Sequence, residues 1–232
     1  MPAGAGLRAT LVRMSSYQML VQAIDDCRRE ARGGHLALGD ALDRLDTSAF
    51  CFVTIVLVLP FLQPMSLGPL GVAGGLNFAA LGWQLARGDH SPWLPARVRA
   101  IELSEANWER LLAVSKRILG WCRAFTRPRL QSWVQGPLGR RLSGAVMIAG
   151  GLLMAVPFFG VPLNNALPGF AIFFAAVGEL EEDGLMLVVA GLFLLLTVAY
   201  FALILYLIFI VGDRSLELFY RFVPDWLELF RG

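Results

Sequence analysis

Apolar positions in this chain come in long unbroken blocks instead of the short stripes of a water-soluble fold. Thr47–Ala86, Leu142–Gly178 and Gly184–Gly212 hold no Asp, Glu, Lys or Arg over 40, 37 and 29 residues. Each block exceeds the roughly 20 apolar residues that cross a bilayer. The first divides into a helix at Ala49–Leu62, a turn at Pro64-Met65-Ser66-Leu67-Gly68-Pro69, and a glycine-rich second helix ending near Ala86. The second block repeats the plan: Ser143–Phe159, a turn from Gly160 to Gly169 that carries Pro162 and Pro168, then Phe170–Gly178. Leu185–Val211 contains one glycine and no proline, which predicts a single tilted helix about 40 Å long.

Short words recur between the two broken blocks. Leu59-Pro60-Phe61-Leu62 aligns with Val156-Pro157-Phe158-Phe159, and Phe78-Ala79-Ala80-Leu81-Gly82 with Phe174-Ala175-Ala176-Val177-Gly178. Arg44-Leu45 aligns with Arg141-Leu142. Anchors in one order at nearly one offset predict an internal duplication. The expected fold is an all-α polytopic membrane protein with two repeated Pro/Gly-broken helical hairpins, amphipathic interfacial helices and one long C-terminal transmembrane helix. The hairpins either enter and leave as re-entrant loops or cross fully with tight uncharged turns, since irregular backbone at membrane depth must be satisfied by protein or a wet cavity. The organisation is an amphipathic segment over 1–43, hairpins over 44–88 and 141–184 separated by a basic amphipathic segment over 89–140, the long helix over 185–212, and an interfacial segment over 213–232.

Charge then orients the chain. All 38 charged residues fall outside the three blocks, and 87–141 holds 11 Lys and Arg against four acids. Positive charge beside apolar spans marks the cytoplasmic side, so the middle segment and the amino terminus are expected there, with the carboxyl terminus carried outward by the last span. Ser16–Ala31 places Tyr17, Leu20, Ile24 and Cys27 on one helical face, suited to a membrane surface or to packing on its own protein. Trp108, Leu111, Leu112, Ile118, Leu119, Cys122 and Phe125 form a second apolar face flanked by Arg110, Lys116, Arg117 and Arg123. With Arg127 and Arg129 these are candidates for lipid headgroups or phosphate. A tethered helix of this kind is not expected to bind nucleic acid.

Other chemistries find no motif. Cys27, Cys51 and Cys122 form no CxxC pair, His35 and His90 are isolated, and no P-loop or nucleophile elbow occurs. Gly68, Gly71, Gly74 and Gly75 lie in an uncharged block and read as close helix packing rather than a phosphate loop. No enzyme activity, cofactor or metal is therefore expected. Uncharged amides in an apolar block are costly unless paired, so Gln63, Asn77, Asn164 and Asn165 mark a polar site where the hairpin tips meet. Gln84, Glu179 and Asp183 complete the ligand-binding candidates. Glu179 and Asp183 are four apart, which on a continuous helix puts them on one face toward Arg127, Arg129, Arg140 and Arg141.

Gln84 through Pro95, ending Ser91-Pro92-Trp93-Leu94-Pro95, then Arg127-Pro128-Arg129, Asn165-Ala166-Leu167-Pro168 and Gly178-Glu179-Leu180-Glu181-Glu182-Asp183-Gly184, resembles the ExoD family of exopolysaccharide-synthesis membrane proteins. The resemblance covers about residues 36–210. It departs at Gln63 and Met65, where a turn richer in proline and glycine is expected. It implies a multi-pass protein of the bacterial inner membrane linked to exopolysaccharide production or export, and it brings no catalytic residue with it. The leading reading is a non-enzymatic component that binds or moves a lipid-linked or anionic glycan, with membrane lipid, polysaccharide-assembly proteins and a second copy of itself as partners. The alternatives are a structural or regulatory subunit of a polysaccharide assembly, and a phosphoglycosyl transferase using Glu179, Glu181, Glu182 and Asp183 with a divalent cation.

Overall fold

The computed structural model describes residues 22, 25–26, 29, 36–37, 47–64, 67–89, 91–93, 102–103, 109, 113, 116–117, 120–121, 124–127, 129–158 and 160–207. The architecture is helical. Its described strands are a two-residue antiparallel pair, β1 (Leu36–Ala37) with β2 (Glu102–Leu103), in register Leu36 to Leu103. Five helices have both ends described: α1 (Thr47–Val58), α2 (Pro69–Arg87), α3 (Gly136–Met154), α4 (Ala166–Leu180) and α5 (Gly184–Tyr206).

Local chemistry sets their ends. α1 tightens into a 3₁₀ turn at Leu59–Leu62, where Pro60 lacks the N–H an α-helix needs. Pro69 occupies the first position of α2, and Gly88, left-handed at φ 84°, closes it by donating to Gln84 and Leu85. α3 starts seven residues before the expected Ser143, because Gly136-Pro137 is itself a helix-start signal and Arg140 and Arg141 continue the helix. α4 ends at Leu180. Glu182 is left-handed at φ 53°, reversing the chain, and the buried Asp183 carboxylate caps α5 by accepting from Leu185 N.

The centre is the antiparallel pair α2 and α3, held by small residues seven apart. A methyl group added at Gly75 would lie 2.5 Å from Gly151 O, and one added at Gly151 would lie 2.5 Å from Gly75 O. Gly82 and Gly144 repeat this contact one heptad away. Seven-residue spacing keeps the seam on one face of both helices, and the missing side chains let backbones touch. Gly71 and Gly74 pack against Asn165 and Phe61, so the glycine cluster is a packing surface.

α4 fills the interior, with Ala171, Ile172, Phe173, Ala175, Ala176 and Val177 buried against α3, α1 and α5. Phe174 of α4 stacks on Phe193 of α5 with centroids 5.5 Å apart, and Phe170 lies tilted against the same ring at 5.2 Å. Both apolar blocks thus run helix, proline-containing break, helix. The first hairpin is open, with α1 resting mainly on α4, whereas α3 and α4 pack on each other.

Gly184–Tyr206 is the one helix among the described residues long and apolar enough to cross a membrane, while Phe50–Leu62 and Ala166–Leu180 are shorter apolar helices. α5 spans about 34 Å and turns Leu192, Leu195, Leu196 and Leu203 outward. The expected continuation of this span to Val211, the interfacial segment after it and the amphipathic face around Tyr17 lie outside the described residues.

Candidate functional site

The breaks of both hairpins lie at one end of the bundle and touch. Leu163 donates its backbone N–H to the carbonyl of Pro64 at 3.1 Å. Leu163 is left-handed at φ 61° and Gly68 at φ 55°, the backbone reversals that bring the tips together. Asn164 and Asn165 follow, with 4% and 1% of their surfaces exposed. Asn164 Nδ2 donates to Phe158 O at 2.9 Å. Its Oδ1, and both polar atoms of the Asn165 amide, have no hydrogen-bond partner among the described residues. The Asn165 side chain lies against the first turn of α2 at Gly71. Because α2 and α4 both begin here, the positive ends of two helix dipoles converge on these amides.

The other amides expected at the tips are placed differently. Gln63 is exposed where the 3₁₀ turn ends. Asn77 does not belong to the junction. It lies more than two turns into α2 on an exposed face, donating to Ala73 O of its own helix at 3.0 Å. The inward face is set by Gly71, Gly75, Phe78, Gly82 and Leu85, and position 77 falls opposite it. Gln84 accepts from Trp93 N and so ties the Ser91-Pro92-Trp93 loop to the end of α2.

At the other end of α4, about 21 Å away, the charged residues gather. A cavity of about 240 Å³ is lined by Ser48, Cys51, Val134, Gln135, Gly136, Arg140, Glu179, Leu180 and Glu182. Glu179 accepts from Ser143 Oγ at 2.9 Å, and Glu182 from Gln135 Nε2 at 2.8 Å. Burial pushes the Glu179 carboxyl up to about 7, against the Ser143 hydrogen bond and the positive charge of Arg140, which pull it down. Among the described residues no carboxylate lies within ion-pair distance of Arg140.

Asp183 does not share a helix face with Glu179, because α4 stops at Leu180 and Asp183 belongs to the next cap. Its Oδ2 accepts from Arg127 N at 2.9 Å, and Gly184 N donates to Arg129 O at 2.7 Å. The basic segment therefore meets this turn through its backbone, while the side chains of Arg127 and Arg129 are exposed. Lys116 and Arg117 are exposed at helical positions, and Arg110 and Arg123 lie outside the described residues. Ser48, Cys51, Ser143 and the cavity role of Arg140 were not singled out from sequence. Ser143 carried a usable signal, a hydroxyl one residue inside an apolar block.

The sequence model of a family described as exopolysaccharide synthesis, ExoD, matches residues 20–203. The protein ExoD of Rhizobium meliloti (strain 1021) is 30% identical over 182 residues, covering 78% of this chain and 75% of that one. An uncharacterized Synechocystis protein, slr1875, is 26% identical over 206 residues, covering 87% of this chain and 92% of its own. No solved structure matches.

Proposed function

This chain belongs to the ExoD family of exopolysaccharide-synthesis proteins, and from that premise we propose that it is a multi-pass protein of the bacterial inner membrane that binds or moves a lipid-linked or anionic glycan without itself catalysing a reaction. The observation that carries this reading is the meeting of two proline-broken hairpins through Leu163 and Pro64, with the Asn165 amide buried beside them and without a hydrogen-bond partner among the described residues. Broken apolar segments at matching positions of two halves form the binding sites of many transporters, where helix starts face anionic groups. The repeat and the re-entrant hairpins are part of this proposal. Further support comes from large apolar side chains turned outward on several helices, including Leu57, Leu70, Leu76, Leu152 and Leu195. Basic residues at the other end suit an anionic leaflet.

Replacing Asn164 and Asn165 with leucine tests the reading. Loss of exopolysaccharide with unchanged expression and melting temperature is the expected result. Loss of folded protein in the same proportion assigns the amides to structure alone. Lipid analysis of the purified protein adds an independent arm: a copurifying glycolipid supports glycan handling, whereas only bulk phospholipid favours a structural or regulatory subunit.

A further inference from the structure

The cavity at the charged end of α4 gathers polar and charged side chains beside an apolar wall. Arg140 is the last-but-one charge before the apolar block Leu142–Gly178, and Glu179 is the first charge after it. The cavity between them therefore sits on the boundary between charged and uncharged chain, where the phosphate of a lipid-linked sugar would lie. Its wall combines one guanidinium, two carboxylates, an amide and a hydroxyl with apolar Val134 and Leu180. Each carboxylate is anchored through one oxygen, Glu179 by Ser143 and Glu182 by Gln135. Neither second oxygen has a hydrogen-bond partner among the described residues, which leaves acceptors for ligand hydroxyls. Arg140 lines the cavity within electrostatic reach of Glu179 but in no ion pair among the described residues, so its donors can serve a ligand.

We propose that this cavity binds a monosaccharide phosphate group, with Arg140 taking the phosphate and Glu179, Glu182 and Gln135 the sugar hydroxyls. The inference rests on the glycan-handling reading above and names its headgroup class. The size agrees: about 240 Å³ lies below the roughly 300–1,000 Å³ of sites that enclose drug-sized ligands, which gives room for one sugar ring. Neutral hydroxyl donors fit carboxylates held beside a cation, whereas a carboxylate on the sugar would be repelled. The cavity and the tip junction sit at opposite ends of α4, as a loading site and a path through the apolar region would.

The test is calorimetric titration of the full-length protein in lipid nanodiscs with glucose 1-phosphate and galactose 1-phosphate. Glucose, inorganic phosphate and phosphoethanolamine serve as competitors. At least one sugar phosphate is expected to bind tenfold or more tightly than each competitor. Arg140→Gln and Glu179→Gln should each weaken it at least tenfold, the scale of a lost hydrogen bond to a charged group. Arg140→Lys, which keeps the charge, should retain part of the affinity if the variants are folded. Gly191→Ala, on an open stretch of α5 away from both sites, should leave binding unchanged. Equal binding of inorganic phosphate, preference for phosphoethanolamine, absence of binding, or unchanged affinity in both cavity variants overturns the proposal. Each of those results leaves the tip-junction test standing, and loss of the tip-junction reading leaves a measured sugar-phosphate affinity in place.

Discussion

Gly75 and Gly151 meet backbone to backbone, each standing where a side chain on the other would have to go. With Gly82 and Gly144 they close the α2–α3 seam, α4 packs on α3, and α1 and α5 rest mainly on α4. α3 carries Arg140 and Ser143 to the cavity, and α2 carries Gly71 to the Asn165 amide.

Gly151→Ala is expected to destabilise the protein by about 1–3 kcal/mol, the usual range for overpacking, because the atoms it meets are backbone and cannot swing aside. Gly191→Ala, on a stretch of α5 with nothing within 4 Å of the new methyl group, should be neutral or stabilising by up to about 1 kcal/mol. Thermal melting of both variants in one detergent checks the contrast, and equal effects would contradict the seam.

Much of this arrangement was legible from sequence. Charge-free blocks with proline breaks gave the helices and the tips, and the break itself placed the amides at 164 and 165, although the pairing expected of Asn165 is not met among the described residues. Asn77 misled because its block has no charge to reveal which face is outward. The pairing of Glu179 with Asp183 failed for a different reason. Spacing assumes a continuous helix, and the acidic run Glu181-Glu182-Asp183 is a reversal whose left-handed Glu182 no periodicity announces. Nor can spacing within one segment show that α1 and α3 would bring Ser48, Cys51 and Arg140 to the same cavity.

The positive charge of residues 87–141 predicts where that segment lies. In a cysteine-free background, Arg117→Cys should be shielded from an impermeant thiol reagent in intact cells, and Gly232→Cys should be labelled. Strong outside labelling at position 117 reverses the orientation, while shielding at 232 removes only the last crossing.

Asp183 is fully buried and accepts from two backbone N–H groups, Leu185 and Arg127. Asp183→Asn keeps one acceptor and sets an amide N–H₂ against a backbone donor, so a loss of about 1–3 kcal/mol is expected. Glu182→Gln retains an acceptor for Gln135 on a half-buried side chain and should cost less. Neither loss should depend on added divalent metal. Metal-dependent loss of function in a stably folded Asp183→Asn protein would instead promote the transferase reading.

Glu179 should make stability fall as pH rises. Around it stand Arg140 and Ser143 from α3, Ser48 and Cys51 from α1, and Gln135 and Glu182 from the adjoining segments. Burial outweighs the help of Ser143 and Arg140, so the folded carboxyl titrates near 7 against an ordinary value of 4.5. Between those values the native chain holds a proton that the unfolded chain has released. Unfolding therefore becomes easier as pH climbs through the window. The full effect, reached above pH 7, is about 3 kcal/mol, and below pH 4.5 it vanishes. Glu179→Gln, which keeps an acceptor for Ser143, should match the wild type at pH 4 and exceed it in stability at pH 8. Ser143→Ala removes a group that favours the charged carboxylate and should push the titration higher, extending the fall in stability to more alkaline pH. Urea denaturation at half-unit steps from pH 4 to pH 8 reads all three proteins. A Gln variant with the same slope as the wild type would mean that Glu179 does not carry the proton.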